Sequence, residues 1–473
     1  MQQLISLFTD YTGLTAPMVE ALPSSGSNRK YFRLQHKNRS LIGVHGESRE
    51  ENRAFIYLAN HFFKKNLNVP EVLAVSEDEM FYLQQDLGDK ILFDTIKSGR
   101  LTGVFSNEEK AILHKTISKL ADFQNIGAEN LDYSICYPLP EFNERSIYWD
   151  LNYFKYSFLK TTGMDFQEDL LENDFEKLTK SLLKDTSDTF MYRDFQSRNV
   201  MLFDEEPYFI DFQGGRKGPV YYDVASFLWQ AKANFPEELR NELVQTYIKS
   251  LSKYRLIDQE EFINRLRQFV LFRTLQVLGA YGFRGYFEKK PHFIQSVPFA
   301  LNNLRELLVD KFNEYPYLDS LLREMVELKQ FADTQKRELT VRVYSFAYKK
   351  GVPNDISGNG GGYVFDCRAI NNPGKYERYK NVNGLDEPVI KFLEDDGEMI
   401  QFLDSIYPLI DRHVKRYIER SFTDLMISFG CTGGQHRSVY AAQHVAEHIS
   451  KNFGIKIQLI HREQNLEQEF KKR

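Results

Sequence analysis

The sequence predicts two folded bodies in one chain: a two-lobed α+β domain, with a small β lobe leading a helical lobe, and then a compact α/β domain. Three observations predict this. β-rich runs crowd residues 24–85, and amphipathic helical spacing dominates residues 105–320. From Thr340 to the end, strand, loop and helix alternate, the habit of a parallel α/β layer. Finally, 473 residues exceed what one ordinary core accommodates, and 42% apolar residues suffice to bury more than one.

In chain order, the polar turn Ser24-Ser25-Gly26-Ser27 separates strands, with Tyr31–Leu34 and Leu41–Val44 as β-rich runs. A helix follows from Glu51 to Lys65, where Phe55, Leu58 and Phe62 recur at helical spacing. The strand Met80–Leu83 runs into Gln84-Gln85-Asp86-Leu87-Gly88, read as a hinge. Helices then fill the chain to about residue 320, apart from two short strands around Val200–Leu202 and Tyr208–Phe212. The expected domains are 1–320 and 339–473, joined by a charged helical linker over 321–338. The second domain is expected to hold strands Thr340–Phe346, Tyr363–Cys367, Leu425–Phe429 and Ile455–Ile460, with a glycine-rich loop at Gly358–Gly362.

A net charge of −5, from 61 basic and 66 acidic side chains, excludes a global field that gathers nucleic acid or anionic lipid, so any anion site is local. Cys136, Cys367 and Cys431 are too few and too scattered for a disulfide framework, which points to a reducing compartment. Met1-Gln2-Gln3-Leu4 has no signal-peptide pattern, and Arg273 and Gln276 interrupt the richest apolar stretch. A cytoplasmic protein with no membrane partner is expected, and its oligomeric state is left open.

Two motifs carry chemistry. In Tyr192-Arg193-Asp194-Phe195-Gln196-Ser197-Arg198-Asn199, followed by a hairpin and Asp211-Phe212-Gln213, a carboxylate, an amide and a second carboxylate have the spacing of a phosphoryl-transfer loop. Asp194 suits the catalytic base that orients an acceptor hydroxyl. Asn199 and Asp211 suit a hard cation that prefers oxygen ligands. The alternative is that all three are turn and capping residues. The second motif, Gly430-Cys431-Thr432-Gly433-Gly434-Gln435-His436-Arg437-Ser438, joins the strand Leu425–Phe429 to a helix with Val439, Ala442, Ala446 and Ile449 on one face. Backbone amides, a helix N-terminus and Arg437 make it an anion cradle, with a structural Gly-Gly turn as the alternative.

Residues 1–320 resemble the aminoglycoside phosphotransferase and choline kinase superfamily, in Arg193-Asp194-Phe195 through Leu202, Ile210-Asp211-Phe212-Gln213 through Arg216, Gly218-Pro219 and Tyr222-Asp223-Val224-Ala225-Ser226. They are most similar to its amino-sugar branch, which phosphorylates the anomeric hydroxyl of N-acetylmuramate or N-acetylglucosamine in cell-wall recycling. The resemblance implies a protein-kinase-like fold, ATP and Mg²⁺ as cofactors, Asp194 as base, Asn199 and Asp211 as metal ligands, and Asp223 as a structural anchor. Tyr148-Trp149-Asp150-Leu151-Asn152 resembles the branch's acceptor helix, so Trp149, Asp150 and Asn152, with Arg216, are substrate candidates; an aromatic packing helix is the alternative. The nucleotide candidates are Ser25, Gly26, Ser27 and Arg29 over the phosphates and Gln85 in the hinge. The strand that usually carries an ATP-binding lysine reads Leu41-Ile42-Gly43-Val44-His45-Gly46, with His45 near the expected place. Glu51 is thereby expected to lack its usual partner.

Residues 339–473 resemble the C-terminal domain of the RNase adapter protein RapZ, in Ser345-Phe346, Lys349-Lys350-Gly351, Val364-Phe365-Asp366-Cys367-Arg368, Asn372-Pro373, Gly384-Leu385-Asp386, Gly430–Tyr440 and His461-Arg462-Glu463. That likeness implies a sensor of an amino-sugar phosphate such as glucosamine-6-phosphate. Cys431, Thr432, Gly433, Gly434, His436 and Arg437 are then expected at the phosphate, and Ser345, Asp366 and Arg368 near the sugar. RapZ has a Walker loop in its N-domain, and no G-x-x-x-x-G-K-[ST] occurs here.

The leading expectation is an ATP-dependent amino-sugar kinase with a phosphosugar-sensing domain. One alternative is a non-catalytic nucleotide-binding adaptor that docks RNA or protein, to which Lys471-Lys472-Arg473 adds a small basic tail. Another is a cysteine phosphatase, because Cys431 and Arg437-Ser438 satisfy C-x₅-R-[ST], with Asp366 as its only tempting acid.

Overall fold

Alternation along the strands Lys30–His36 and Arg39–His45 builds the first lobe. The computed structural model describes residues 1–22, 29–328, 331, 339–357, 360–419 and 422–470. Strands β1 (Met18–Ala21), β2 (Lys30–His36), β3 (Arg39–His45), β4 (Val72–Val75) and β5 (Phe81–Gln85) form an antiparallel sheet in the order β1-β2-β3-β5-β4. Leu34, Leu41, Phe81 and Leu83 face one side and pack on Leu4 and Phe8 of the helix Gln2–Thr12. Ile42, Val44 and Tyr82 face the other side and pack with Phe55 and Leu58 of the helix Arg49–Lys64. That helix begins at Ser48, whose side chain accepts the Glu51 amide.

The second lobe is helical around two short ribbons: β6 (Thr189–Met191) paired with β9 (Arg216–Gly218), and β7 (Val200–Phe203) paired with β8 (Glu206–Phe209). Phe212, directly after Asp211, is buried and stacks on Phe55 at 5.0 Å and edge-on to Phe62 at 5.3 Å. The segment bearing Asp211 is thereby tied to the helix bearing Glu51. The helices Glu144–Ser157 and Gln259–Gly282 touch backbone to backbone. A Cβ on Gly279 would fall 2.7 Å from the Phe154 nitrogen, so only glycine permits this approach.

The chain divides into two compact units, residues 1–331 and 332–473. Of the expected linker, the helix Pro316–Val326 buries Leu318, Leu321, Leu322 and Met325 in the first unit's core. Residues 329–330 and 332–338 lie outside the described residues, as do the tail 471–473 and two residues of the 358–362 loop.

In the second unit, β10 (Thr340–Ala347), β11 (Tyr363–Asp366), β12 (Asp424–Cys431) and β13 (Lys456–His461) are parallel, in the order β11-β12-β10-β13. A fifth strand, β14 (Leu466–Phe470), adds antiparallel to β13, so the sheet is mixed and not the parallel layer the alternation implied. The helix Arg437–Phe453 buries Val439, Ala442, Val445, Ala446 and Ile449 in this unit. No helix among the described residues is long and apolar enough to cross a membrane.

Candidate active site

The loop after β6 is held from beneath. Asp223 accepts the main-chain N–H groups of Tyr192 and Arg193, each at 2.8 Å, and the Gln124 amide at 2.8 Å. It is fully buried, and that burial pushes its carboxyl up to about 6 against the pull of these donors. The clamp holds Arg193 at φ 77°, a strained left-handed conformation, which leaves the next side chain in the open. Asp194 is accordingly 61% exposed, with Arg273 Nη2 3.4 Å from its Oδ1. Arg273 is fixed in turn by Gln276 and by donation from its Nε to Ser226 Oγ at 3.1 Å.

Asn199 Nδ2 donates back to the Asp194 carbonyl at 2.9 Å, which commits its NH₂ and leaves Oδ1 as the end that could meet a cation. The Ile210 N–H donates to the Asn199 carbonyl at 3.1 Å, which brings Asp211 beside the loop. Asp211 also has a positive φ, 67°, and accepts from Gln213 Nε2 at 2.7 Å. Burial raises its carboxyl above the ordinary range, and the charge of Asp194 adds to the effect. A divalent cation would relieve both. Asn199 and Asp211 line one cleft of about 280 Å³ with Tyr31, Arg33 and the 84–89 hinge. Among the described residues no three of His, Cys, Asp and Glu form a metal cluster. The donor set is therefore one carboxylate and one amide, completed by ligand oxygens and water, and it fits magnesium.

On the nucleotide side, two expectations change. His45 stacks on Phe81 at 4.5 Å, on the face away from the cleft, because the cleft-facing positions of β3 are Ile42 and Val44. Glu51 is not left alone: Arg29 lies 3.4 Å from its carboxylate and donates to its carbonyl at 3.0 Å. Tyr31 pairs with Val44 and Arg33 with Ile42, so the period of two puts Arg29 on the same face of β2. Ser25, Gly26 and Ser27 lie outside the described residues. Gln85 lines the cleft, its main-chain N–H bound to the Glu71 carbonyl at 2.9 Å. Arg33 clamps the hinge through Asp86 at 2.8 Å and Asp89 at 2.7 Å.

On the acceptor side, a shallow groove of about 490 Å³ gathers Trp149, Asp150, Asn152, Tyr153, Tyr156 and Ser157. Trp149 is open to solvent and Asn152 half-buried, as a sugar platform requires. Asp150 departs from its expected role. It is buried, and Arg193 Nη2 reaches both of its oxygens at 2.9 Å, so its charge is already taken. Arg216 departs as well: it is 2% exposed and donates to the Gly214 carbonyl at 3.2 Å. Burial, with the Arg193 charge next, brings its guanidinium down to about 10. Asp150 is a support of Arg193, and Arg216 holds the Gly214 turn. The 193–150 pair and the contact of Arg273 with Asp194 are what sequence reasoning missed. Arg273 had registered only as a charge in an apolar run.

In the second unit the strand ends Ala347, Asp366, Cys431 and His461 converge where the 432–436 loop enters the helix Arg437–Phe453. Thr432 and Gly433 are exposed, and Gly434 turns at φ 66° under Glu463. Cys431 Sγ lies 3.1 Å from Ser438 Oγ. Burial alone would raise its thiol, but the bonds from Ser438 and the Arg437 charge outweigh it and hold the thiol low. Three expected ligands already have partners within the protein. His436 bonds the Tyr379 carbonyl at 2.8 Å, Arg437 Nη1 bonds the carbonyls of Ile370 at 2.7 Å and Arg368 at 3.0 Å, and Ser345 is buried against His461 Nδ1 at 2.9 Å. Asp366 and Arg368 are exposed and paired at 2.7 Å, which keeps the Asp366 carboxyl low and unsuited to the general acid a phosphatase needs.

The sequence profile of the phosphotransferase enzyme family matches residues 19–257, and that of the RapZ C-terminal domain matches residues 339–465. A nucleotide-binding protein of Acinetobacter baylyi is 31% identical over 183 residues, which are 37% of this chain and 62% of that protein. A similar protein of Geobacillus kaustophilus is 35% identical over 28% of this chain and 42% of its own length, so the chain spans less than two thirds of either relative. An N-acetylmuramate/N-acetylglucosamine kinase of Pseudomonas aeruginosa is 26% identical over 65% of this chain and 89% of its own length. The solved choline kinase of Cryptosporidium parvum covers 65% of this chain and 93% of its own at 13% identity and a TM-score of 0.44.

Proposed function

The chain belongs to the phosphotransferase enzyme family and carries a RapZ C-terminal domain; we propose that it is an ATP-dependent kinase of an amino sugar, with the second unit sensing an amino-sugar phosphate. The observation that carries the reading is the exposed Asp194 carboxylate on the loop whose Asn199 bonds back to the Asp194 carbonyl and lines one cleft with Asp211. The similarity to a kinase of N-acetylmuramate and N-acetylglucosamine supports the acceptor class, as does the aromatic groove beside Arg193.

In this reading Asp194 takes the proton of the acceptor hydroxyl as that oxygen bonds to the terminal phosphorus of ATP. The bond from phosphorus to the bridging oxygen breaks, and ADP leaves. Arg273 orients Asp194, and Arg193, braced by Asp150, fixes the loop against the acceptor helix. Asn199 and Asp211 would hold magnesium, which offsets negative charge on the phosphate oxygens when bound. ADP release with N-acetylglucosamine and with N-acetylmuramate tests this in the wild type and in Asp194→Asn. A sugar-dependent rate that drops by about 10²–10⁴ in the variant is expected. Absence of any sugar-dependent rate, or a rate the substitution leaves intact, overturns it.

For the second unit, the exposed Thr432-Gly433 amides at the head of a 17-residue helix support an anion seat. Glucosamine-6-phosphate at about 100 times its Kd should stabilise the full chain by about 2.7 kcal/mol. A melting curve unmoved by glucosamine-6-phosphate removes the sensor.

A further inference from the structure

Near the end of β5, Gln84 lines the cleft and is only 8% exposed. Strand pairing fixes its direction: Arg33 stands opposite Ile42 and Ile42 opposite Gln84, so these side chains form one row on one face of the sheet. Its neighbour Leu83 faces the other way and packs with Leu4 and Phe8. Gln84 Oε1 is buried and has no hydrogen-bond partner among the described residues. A buried acceptor without a donor is a cost to the fold, and on the wall of a cleft a ligand can remove that cost. Arg33, the cation of the row, is already committed. Asp86 and Asp89 hold its guanidinium at 2.8 and 2.7 Å, and it donates to the Gly88 carbonyl at 3.2 Å. The row therefore offers a ligand one carboxamide, while Ile42, Met201 and Ile210 give the same cleft apolar surface suited to a flat ring.

Resting on the kinase reading above, we propose that Gln84 is a specificity-determining residue for the base of the nucleotide, and that it selects adenine over guanine. In that reading the phosphates meet the cation at Asn199 and Asp211, so the base lies toward the hinge, which Gln84 begins. A carboxamide holds one acceptor and one donor side by side. Adenine answers both, because its 6-amino group donates to Oε1 while its N7 accepts from Nε2. Guanine presents two acceptors at the same positions, O6 and N7, so one of its contacts sets acceptor against acceptor. Turning the amide over does not help guanine, since the mismatch only moves from one atom to the other. Adenine thus supplies Oε1 with the donor it lacks, and guanine meets a clash of like groups.

The test compares kcat/KM for ATP, GTP and the triphosphate of purine riboside, which lacks the 6-amino group, in the wild type and in Gln84→Met. The expected result is a wild-type preference for ATP over GTP that falls about tenfold in the variant, about 1.4 kcal/mol, through KM for ATP. Loss of the 6-amino group should cost the wild type about tenfold and the variant much less. Methionine fills a similar volume without an unpaired acceptor, so the variant should melt no lower than the wild type. A melting temperature well below the wild type's makes Gln84 a structural residue and overturns the proposal. Equal use of ATP and GTP by the wild type, a ratio the substitution leaves unchanged, or the same penalty for purine riboside triphosphate in both proteins also overturns it, while the kinase reading stands. If no sugar turns over, the kinase reading fails, and thermal shifts by the three nucleotides decide for Gln84. Selective stabilisation by ATP that Gln84→Met loses upholds its role, and stabilisation without selectivity, or none, removes it.

Discussion

Arg29 reaches Glu51 from the start of β2, where the neighbouring strand offers only Val44. A guanidinium 2% exposed and beside an acid keeps its charge, and Asp211 adds to the field that holds it. We propose it as the cation that nucleotide phosphates meet. Arg29→Met should raise KM for ATP by about tenfold, about 1.4 kcal/mol, and Arg29→Lys should recover part of it; steady-state kinetics with ATP varied decides, and an unchanged KM removes Arg29 from the nucleotide site. Asp194, Asn199 and Asp211 were legible in the sequence because a single short segment carries them. The pairings of Arg273 with Asp194 and of Asp150 with Arg193 were not, because the partners lie 79 and 43 residues apart and only the packing of the fold brings them together. The same limit explains His436 and Arg437: the motif identifies the residue types, but nothing in it says that backbone carbonyls of distant loops claim their side chains.

Among elements, period two in β2 and β3 and the helical faces at Phe55 and Val439 announced themselves. The three-residue strands β6 and β9 are too short to show any period, and β14, with intermediate and exposed residues alternating, has no apolar face to betray it. The loop between β12 and its helix depends on one backbone choice. Gly434 sits at φ 66°, and a Cβ there would fall 2.4 Å from Glu463 Cγ and 2.8 Å from the Ala347 nitrogen. Gly434→Val should therefore remove the stabilisation by glucosamine-6-phosphate while the first unit's sugar-dependent rate persists. An intact thermal shift in that variant places the ligand elsewhere.

At the scale of the whole molecule, one buried group in each unit answers acid, and the two do so in opposite directions. His461 is fully buried, its Nδ1 on Ser345 and its Nε2 on Gln443, and burial lowers it to about 4. An unfolded histidine takes its proton near 6.5, so between these values the unfolded chain binds a proton that the folded one refuses, and stability falls as pH falls. At pH 5 the second unit should be about 2 kcal/mol less stable than at pH 7. Asp223 works the other way: its folded carboxyl accepts a proton near 6, above an unfolded aspartate, so this one group's contribution favours the folded form in acid. Native-state hydrogen exchange of β10 and β13 amides at the two pH values reads the first effect, and His461→Gln should flatten it. An equal slope in wild type and variant assigns the loss to other groups.

The glycine contact between the helices Glu144–Ser157 and Gln259–Gly282 has a consequence for how such a protein can change. One rod carries Trp149 and the acceptor groove; the other carries Arg273, whose far end touches the base. At Gly279 and Gly282 the two rods meet backbone to backbone, so at those points no side chain absorbs a shift. A substitution that moves the groove's helix at those points pushes on the helix that carries the partner of Asp194, which couples acceptor choice to turnover.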